Sequence, residues 1–243
     1  MNGKIYHIVS LIPQNGAKYI ATNLGYFAKK RKKDSKILLI DLDFNNPTLG
    51  YFCTKDFTYS IDNLVPIKND IRKVTINNNI IKTNLGFDIL KGSSIKSSEY
   101  ISSDLVAIIL NLAKEMYDYI FVVTQSNLKN PNTAITLLNA NEVILVLRNN
   151  YSNLLKSTSF LQEIKPFIES KSALNIIINY KDYRSEINIS KVIKSTEEID
   201  INYLGVLDYD IKSVDNINLK EKNFFKRNSV NDRVFKHICR KIL

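Results

Sequence analysis

The sequence predicts an α/β fold in which a mostly parallel, twisted sheet is flanked by helices on both faces. Short, continuously apolar runs such as Ile37–Ile40, Val143–Leu147 and Ile176–Ile178 recur along the chain, as strands covered on both faces require. Stretches with apolar residues at three- and four-residue spacing separate them, which is the helical period. Strands alternating with helices imply βαβ units and a parallel sheet. No internal repeat, low-complexity stretch or linker interrupts the 243 residues, so 1–243 is expected to be one domain.

The elements follow in order. Ile5–Ile12 reads as a strand that runs into a turn ending at Gly16. A helix comes next, with Ala17, Ile20, Ala21, Leu24, Phe27 and Ala28 on one face. Lys36–Asp41 is a second strand and closes in the polar turn Asp41–Pro47, at the strand end where open α/β sheets bind ligands. Residues 77–91 hold one or two strands. Ser102 or Ser103 suits a helix N-cap, with Leu105, Ile108, Ile109, Leu112 and Met116 expected on the buried face. Then come a strand at 119–123, a helix at 131–140, a strand at 143–147, a helix at 152–168 and a strand at 174–179. A helix over 185–195, a strand at 202–207 and a helix from about Ser229 complete the series.

Composition narrows the function classes. Hydrophobic content of 44% with 7 Gly and 5 Pro suits a compact globule, not a disordered chain. No run reaches the roughly 18 apolar residues of a membrane span, and Met1 onward lacks the plan of a signal peptide. Cys53 and Cys239 provide neither a disulfide framework nor zinc spacing. A cytoplasmic protein, recruited to a membrane or a cell pole, is the expectation.

The net charge of +10 sits in two patches. Residues 29–36 hold six Lys or Arg against Asp34, and residues 220–243 hold eight against Glu221 and Asp232. Such patches suit phosphates of DNA or an anionic membrane surface, and equally a solvated loop and helix face.

A strand, turn and helix at the chain start is where P-loop proteins hold nucleotide phosphates. With the elements placed, the chain resembles the ParA/MinD group of deviant Walker-A ATPases over almost its whole length. That group opens with Ser-x-Lys-Gly-Gly-x-Gly-Lys-Thr-Thr-x-Ala-x-Asn-Leu, and Ser10, Gly16, Ala21, Asn23 and Leu24 match it. Ile37–Asp43 resembles the Leu-Leu-Ile-Asp-x-Asp segment, and Tyr117–Thr124 resembles Tyr-Asp-x-Ile-Ile-Ile-Asp-Thr. Ala140–Ile144 resembles Ala-Asp-Glu-Val-Ile, and Gly205–Asp210 resembles Gly-x-Ile-Pro-x-Asp. Asn179 falls where the family has a strand-end Asn that recognises adenine.

The departures fall on the chemistry. The P-loop Lys falls on Ala17, the magnesium-ligating Thr on Lys18, and the Lys that reaches the partner's nucleotide on Ile12. The paired glycines fall on Pro13 and Gln14, which removes an N–H donor and the freedom to take positive φ. The strand-end Asp falls on Val123. Phosphoryl transfer works by positioning and charge neutralisation, so the resemblance with these losses implies a pseudo-ATPase. No cofactor is expected, and ATP with magnesium is expected to bind weakly if at all. Asp43 matches the family's water-positioning acid, although an Asp just ahead of Asn45-Asn46-Pro47 also suits a turn. Gly16 and Lys18 at a helix N-terminus, with Asn179, are the residues left for a nucleotide.

Gly16-Ala17 also resembles the Gly-Ala of the TadZ/CpaE-like subgroup, whose members position pilus and secretion machinery. The expected function is therefore a positioning or assembly scaffold that binds a protein partner or an active paralogue, or forms a homodimer. The alternatives are an atypical ATP switch and a non-specific DNA-binding partitioning module. The last helix, with Val230, Val234, Phe235, Ile238, Ile242 and Leu243 opposite Arg233, Lys236, Arg240 and Lys241, is amphipathic and expected to pack on the fold. His7 is expected in the core, and His237 lacks any metal or catalytic company.

Overall fold

The computed structural model describes residues 2–10, 12–54, 58–93, 101–168, 173–182, 184, 186, 201–210 and 230–243. Among the described residues, one sheet holds eight strands: β1 (Lys4–Ser10), β2 (Ile37–Leu42), β3 (Ile81–Lys82), β4 (Asp88–Leu90), β5 (Tyr119–Thr124), β6 (Glu142–Arg148), β7 (Ala173–Lys181) and β8 (Ile201–Asp208). Their spatial order is β3-β4-β2-β5-β1-β6-β7-β8. Every pairing is parallel except that of β3 with β4. The expected fold class is the one observed.

Strand alternation sends side chains to two cores. On one face, Ile5, Val9, Leu38, Ile40, Ile120, Val122, Val143 and Leu145 pack under α4 (Ser103–Met116), α5 (Pro131–Asn139) and α6 (Tyr151–Ile168). On the other, Tyr6, Ile8, Leu39, Phe121 and Ile144 pack under α1 (Ala17–Arg31) and the last helix, α7 (Asp232–Ile242). Helix α1 is buried beyond its apolar face: Thr22 and Asn23 are buried, their side chains bonded to the carbonyls of Lys18 and Tyr19 one turn back. Lys29, Lys30 and Arg31 close its last turn, where cations complement the helix dipole.

Three short elements between β2 and β3 had no periodic signal: α2 (Leu49–Cys53), a 3-10 segment (Ile61–Asp70) and α3 (Lys73–Asn78). Each is shorter than the window in which helical periodicity shows. Ser102 caps α4 by accepting the Leu105 amide, as its position predicted. The buried face of α4 is rotated from the expected one. Leu105, Val106, Ile109, Leu110 and Ala113 are buried, Leu112 and Met116 are half-buried, and Ile108 is exposed. The 185–195 helix expected from the sequence and residues 220–229 of the second basic patch lie outside the described residues, apart from Glu186.

Helix α7 begins at Asp232 and is part of the core. Phe235 is fully buried, stacked on Phe27 at 5.9 Å and edge-on to Tyr19 at 5.8 Å. The Tyr6 hydroxyl donates to the Ile242 carbonyl at 2.7 Å, and Asn231 bridges both backbone groups of Asp208 at the end of β8. Val230, assigned to this apolar face from sequence, precedes the helix and is exposed.

Candidate functional site

The carboxyl ends of β1, β2 and β7 surround the start of α1. Gly16 is the α1 N-cap, with φ 93°, and no side chain caps the helix there. A Cβ at this position would collide with the side-chain amide of Asn179, so glycine is required by conformation and by space alike. Asn179, on β7, donates from Nδ2 to the Asn15 carbonyl at 2.8 Å. Its Oδ1 is buried without a hydrogen-bond partner. Asn15 in turn donates from its side chain to Asn153 Oδ1 at 2.6 Å, and both residues are buried.

Lys18 extends from the first turn of α1 to the loop after β2. Its Nζ lies 2.7 Å from Asp43 Oδ2 and also donates to the Asn46 carbonyl. Both side chains are mostly buried, at 10% and 18% exposure. The positive charge that the sequence offered to an anion is thus neutralised by Asp43 inside the chain. Asp43 also takes the turn role, since its carbonyl accepts the Asn46 amide at 3.1 Å.

Asp41 is fully buried beneath this pair. Its carboxyl accepts the amides of Leu49 at 2.8 Å and Asp43 at 3.1 Å. Burial pushes it up to about 7, against the opposing pull of Lys18. Val123 is its neighbour across the β2–β5 ladder and belongs to the apolar core, so that position adds no polar side chain to the site. His7 is fully buried on β1 with Nε2 2.8 Å from Thr124 Oγ1, and burial pushes its imidazole down to about 3. It is a core residue, as expected.

The loop itself departs from expectation at one point. Gln14 adopts φ 66°, the left-handed conformation that its Cβ disfavours. The loop retains the positive φ without the glycine. Pro13 and Gln14 are exposed, Ile12 is half-buried and accepts the Ser10 hydroxyl, and Ala17 is buried. Gly16 and Asn179 are therefore brought together at one end of the site, and Lys18 and Asp43 at the other. Asn15, Asn46 and Asn153 were not legible as site residues. Only Asn15-Gly16 carried a signal, as a turn dipeptide.

One lysine from each basic patch approaches the same ring. The ammonium groups of Lys30 on α1 and Lys236 on α7 lie 5.8 and 5.9 Å from the Phe27 ring. Among the described residues, no cluster of three or more His, Cys, Asp or Glu side chains is placed to hold a metal ion. No described helix is long and apolar enough to cross a membrane.

No family model matches the chain, and no curated protein sequence matches it. Solved structures do. A ParA family ATPase from Chlorobium tepidum superposes with a TM-score of 0.82 at 18% identity, over 98% of this chain and 97% of that one. The septum site-determining protein MinD from Pyrococcus horikoshii, complexed with Mg-ADP, matches with a TM-score of 0.81 at 18% identity, over 99% and 96%. The MinC:MinD cell division complex from Aquifex aeolicus matches with a TM-score of 0.77 at 15% identity, over 99% and 96%. The eight-stranded sheet, its helices on both faces and a loop-to-helix turn at the end of the first strand together are the fold of the ParA/MinD ATPases.

Proposed function

We propose that this chain is a pseudo-ATPase with a degenerate Walker A loop that works as a nucleotide-independent positioning or assembly scaffold, of the kind that the TadZ/CpaE-like proteins exemplify. The observation that carries the reading is the Lys18–Asp43 ion pair, at the positions where the family places its magnesium-ligating hydroxyl and its water-positioning acid. Three further features support it. Ala17 offers no charge to outer phosphates, Val123 no oxygen to a metal, and the Asn179 amide is engaged by the loop backbone instead of a base. This donor set does not fit magnesium–ATP, because a cation stands at the position of the metal-ligating hydroxyl and the Asp43 carboxylate is paired with it. The unpartnered Asn179 Oδ1 is one acceptor left for an adenine amine, and one hydrogen bond without charge neutralisation does not hold a triphosphate.

The partner is a protein, an active paralogue or a second copy of the chain. The MinC:MinD complex is an instance of this fold in such an assembly. Titration calorimetry with ATP and magnesium, alongside size-exclusion chromatography with and without nucleotide, tests the reading. No heat and one unchanged oligomeric state are expected. Micromolar binding with a shift to dimer would replace the scaffold by an atypical switch.

The convergence of Lys30 and Lys236 around Phe27 favours a second activity for the same scaffold, contact with a phosphate-bearing polyanion across α1 and α7. Cations brought together from distant parts of the chain act as one electrostatic footprint. Affinity for duplex DNA or anionic vesicles should fall steeply with added salt, without base preference for DNA. Binding unchanged across a salt titration would remove this activity.

A further inference from the structure

The segment between β2 and α2 has no regular structure, yet it is tied down at every turn. Asp41 accepts the Leu49 and Asp43 amides, and Asn45 donates to Gln125 Oε1 at 2.6 Å. The Thr48 amide donates to the Asn46 carbonyl at 2.8 Å. These contacts gather oxygen atoms. The Asp43 carboxylate and Asn46 carbonyl converge on one point. The Asp43 carboxylate and the Asn46 carbonyl, both turned toward one mostly buried spot, repel each other unless a cation stands between them.

That cation is supplied by the chain. Lys18 Nζ carries three N–H donors and a compact charge on a flexible stem. It sits against the two nearest of these oxygens, at 10% side-chain exposure. Both of these oxygens belong to the loop that follows β2.

We propose that the Lys18 ammonium is the resident cation of this site, occupying the place of a divalent metal among the oxygens of the β2–α2 loop and clamping that loop to α1. The proposal rests on the scaffold reading only in taking the loop's order as independent of nucleotide. A metal leaves with its ligand; a lysine does not. The loop is therefore held in one arrangement in every state of the protein, and chelators, magnesium and nucleotide leave it unmoved.

Hydrogen–deuterium exchange on the full chain tests this, with the amides of 43–53 as the readout and those of β1, β5 and β6 as the internal measure of folding. In Lys18→Met, which keeps the apolar stem and removes the charge, the 43–53 amides should exchange about tenfold faster while the three strands stay protected. Asp43→Asn breaks the same pair from the other side. It should give the same local loss, and it stands in if the Lys18 variant does not fold. In the wild-type protein, a chelator or added magnesium–ATP should change nothing over 43–53. Unchanged exchange over 43–53 in a folded variant overturns the proposal, and so does wild-type protection that rises with magnesium alone. Heat from ATP binding in calorimetry would overturn the scaffold reading instead, whatever the exchange of the Lys18 variant shows.

Discussion

Replacing Phe235 with alanine removes a ring that is fully buried between Phe27 and Tyr19, where α7 meets α1. Truncating a buried aromatic to alanine costs about 3–5 kcal/mol, from lost transfer energy and the cavity left behind. The upper half of that range applies here, because the stacked and edge-on partners each add about 0.5–1.5 kcal/mol beyond area. Nor can the site collapse easily, since α7 is pinned at its start by Asn231 and at its end by the Tyr6 hydroxyl. In a domain of this size each kcal/mol lowers Tm by about 2–4 °C, so the variant should melt roughly 10 °C or more below wild type. Equilibrium unfolding in urea measures the free energy directly, and m should stay constant if only the folded state has lost stability. A loss under about 1 kcal/mol would refute the packing argument. It would mean that α7 is a detachable amphipathic segment, and binding to anionic vesicles would then need reassessment with the helix released.

The remaining predictions concern the site and the strands beneath it. Gly16→Ala should destabilise by at least about 2 kcal/mol, from the left-handed backbone and the collision with the Asn179 amide. Adding Asn179→Ala should return part of that loss, and strict additivity would show that the two do not touch. Gln14→Gly relieves the φ of 66° at an exposed position and should stabilise by about 0.5 kcal/mol, whereas Gln14→Ala should not. His7 and Asp41 oppose each other in pH dependence. His7 is held neutral, with its folded value near 3 against 6.5, so its contribution is complete above pH 6.5 and falls as pH drops below it. Asp41, raised to about 7 from 3.8, contributes fully below 3.8 and loses its contribution as pH rises through 7. Where the two windows overlap, from pH 3.8 to 6.5, the two slopes cancel in the wild type. Asp41→Asn should uncover the His7 slope of about 1.4 kcal/mol per pH unit, read by urea unfolding at several pH values. A profile no steeper than wild type would argue that His7 is protonated in the fold.

Much of this architecture could be read from the chain because parallel strands buried on both faces leave continuous apolar runs such as Val143–Leu147. Helix α1 was legible for a similar reason: its six predicted apolar residues are all buried. Short elements were not. Leu49–Cys53 and Lys73–Asn78 complete less than two turns, and their boundaries are set by contacts such as the Asp41 carboxyl on the Leu49 amide. On α4, apolar residues occupy more than one face, so spacing alone could not choose Val106 over Ile108. At the site, the sequence pointed to Gly16, Lys18, Asp43 and Asn179, all of which lie where the loop meets the strands. It could not show that Lys18 faces Asp43 across 25 residues, or that Asn15 is held by Asn153. Those pairings depend on side-chain directions that only the folded sheet determines.

Strand β3 has a consequence for assembly. The sheet ends on that side with two residues, Ile81 and Lys82, running antiparallel to β4. Their outer edge offers very few free amide and carbonyl groups, and Lys82 places a charge among them, ion-paired to Asp88. A second chain arriving there finds almost nothing to hydrogen-bond with and must dehydrate a lysine to try. Growth of the sheet from copy to copy is disfavoured at this border, which leaves the side-chain surfaces as the better ground for assembly on this side of the protein.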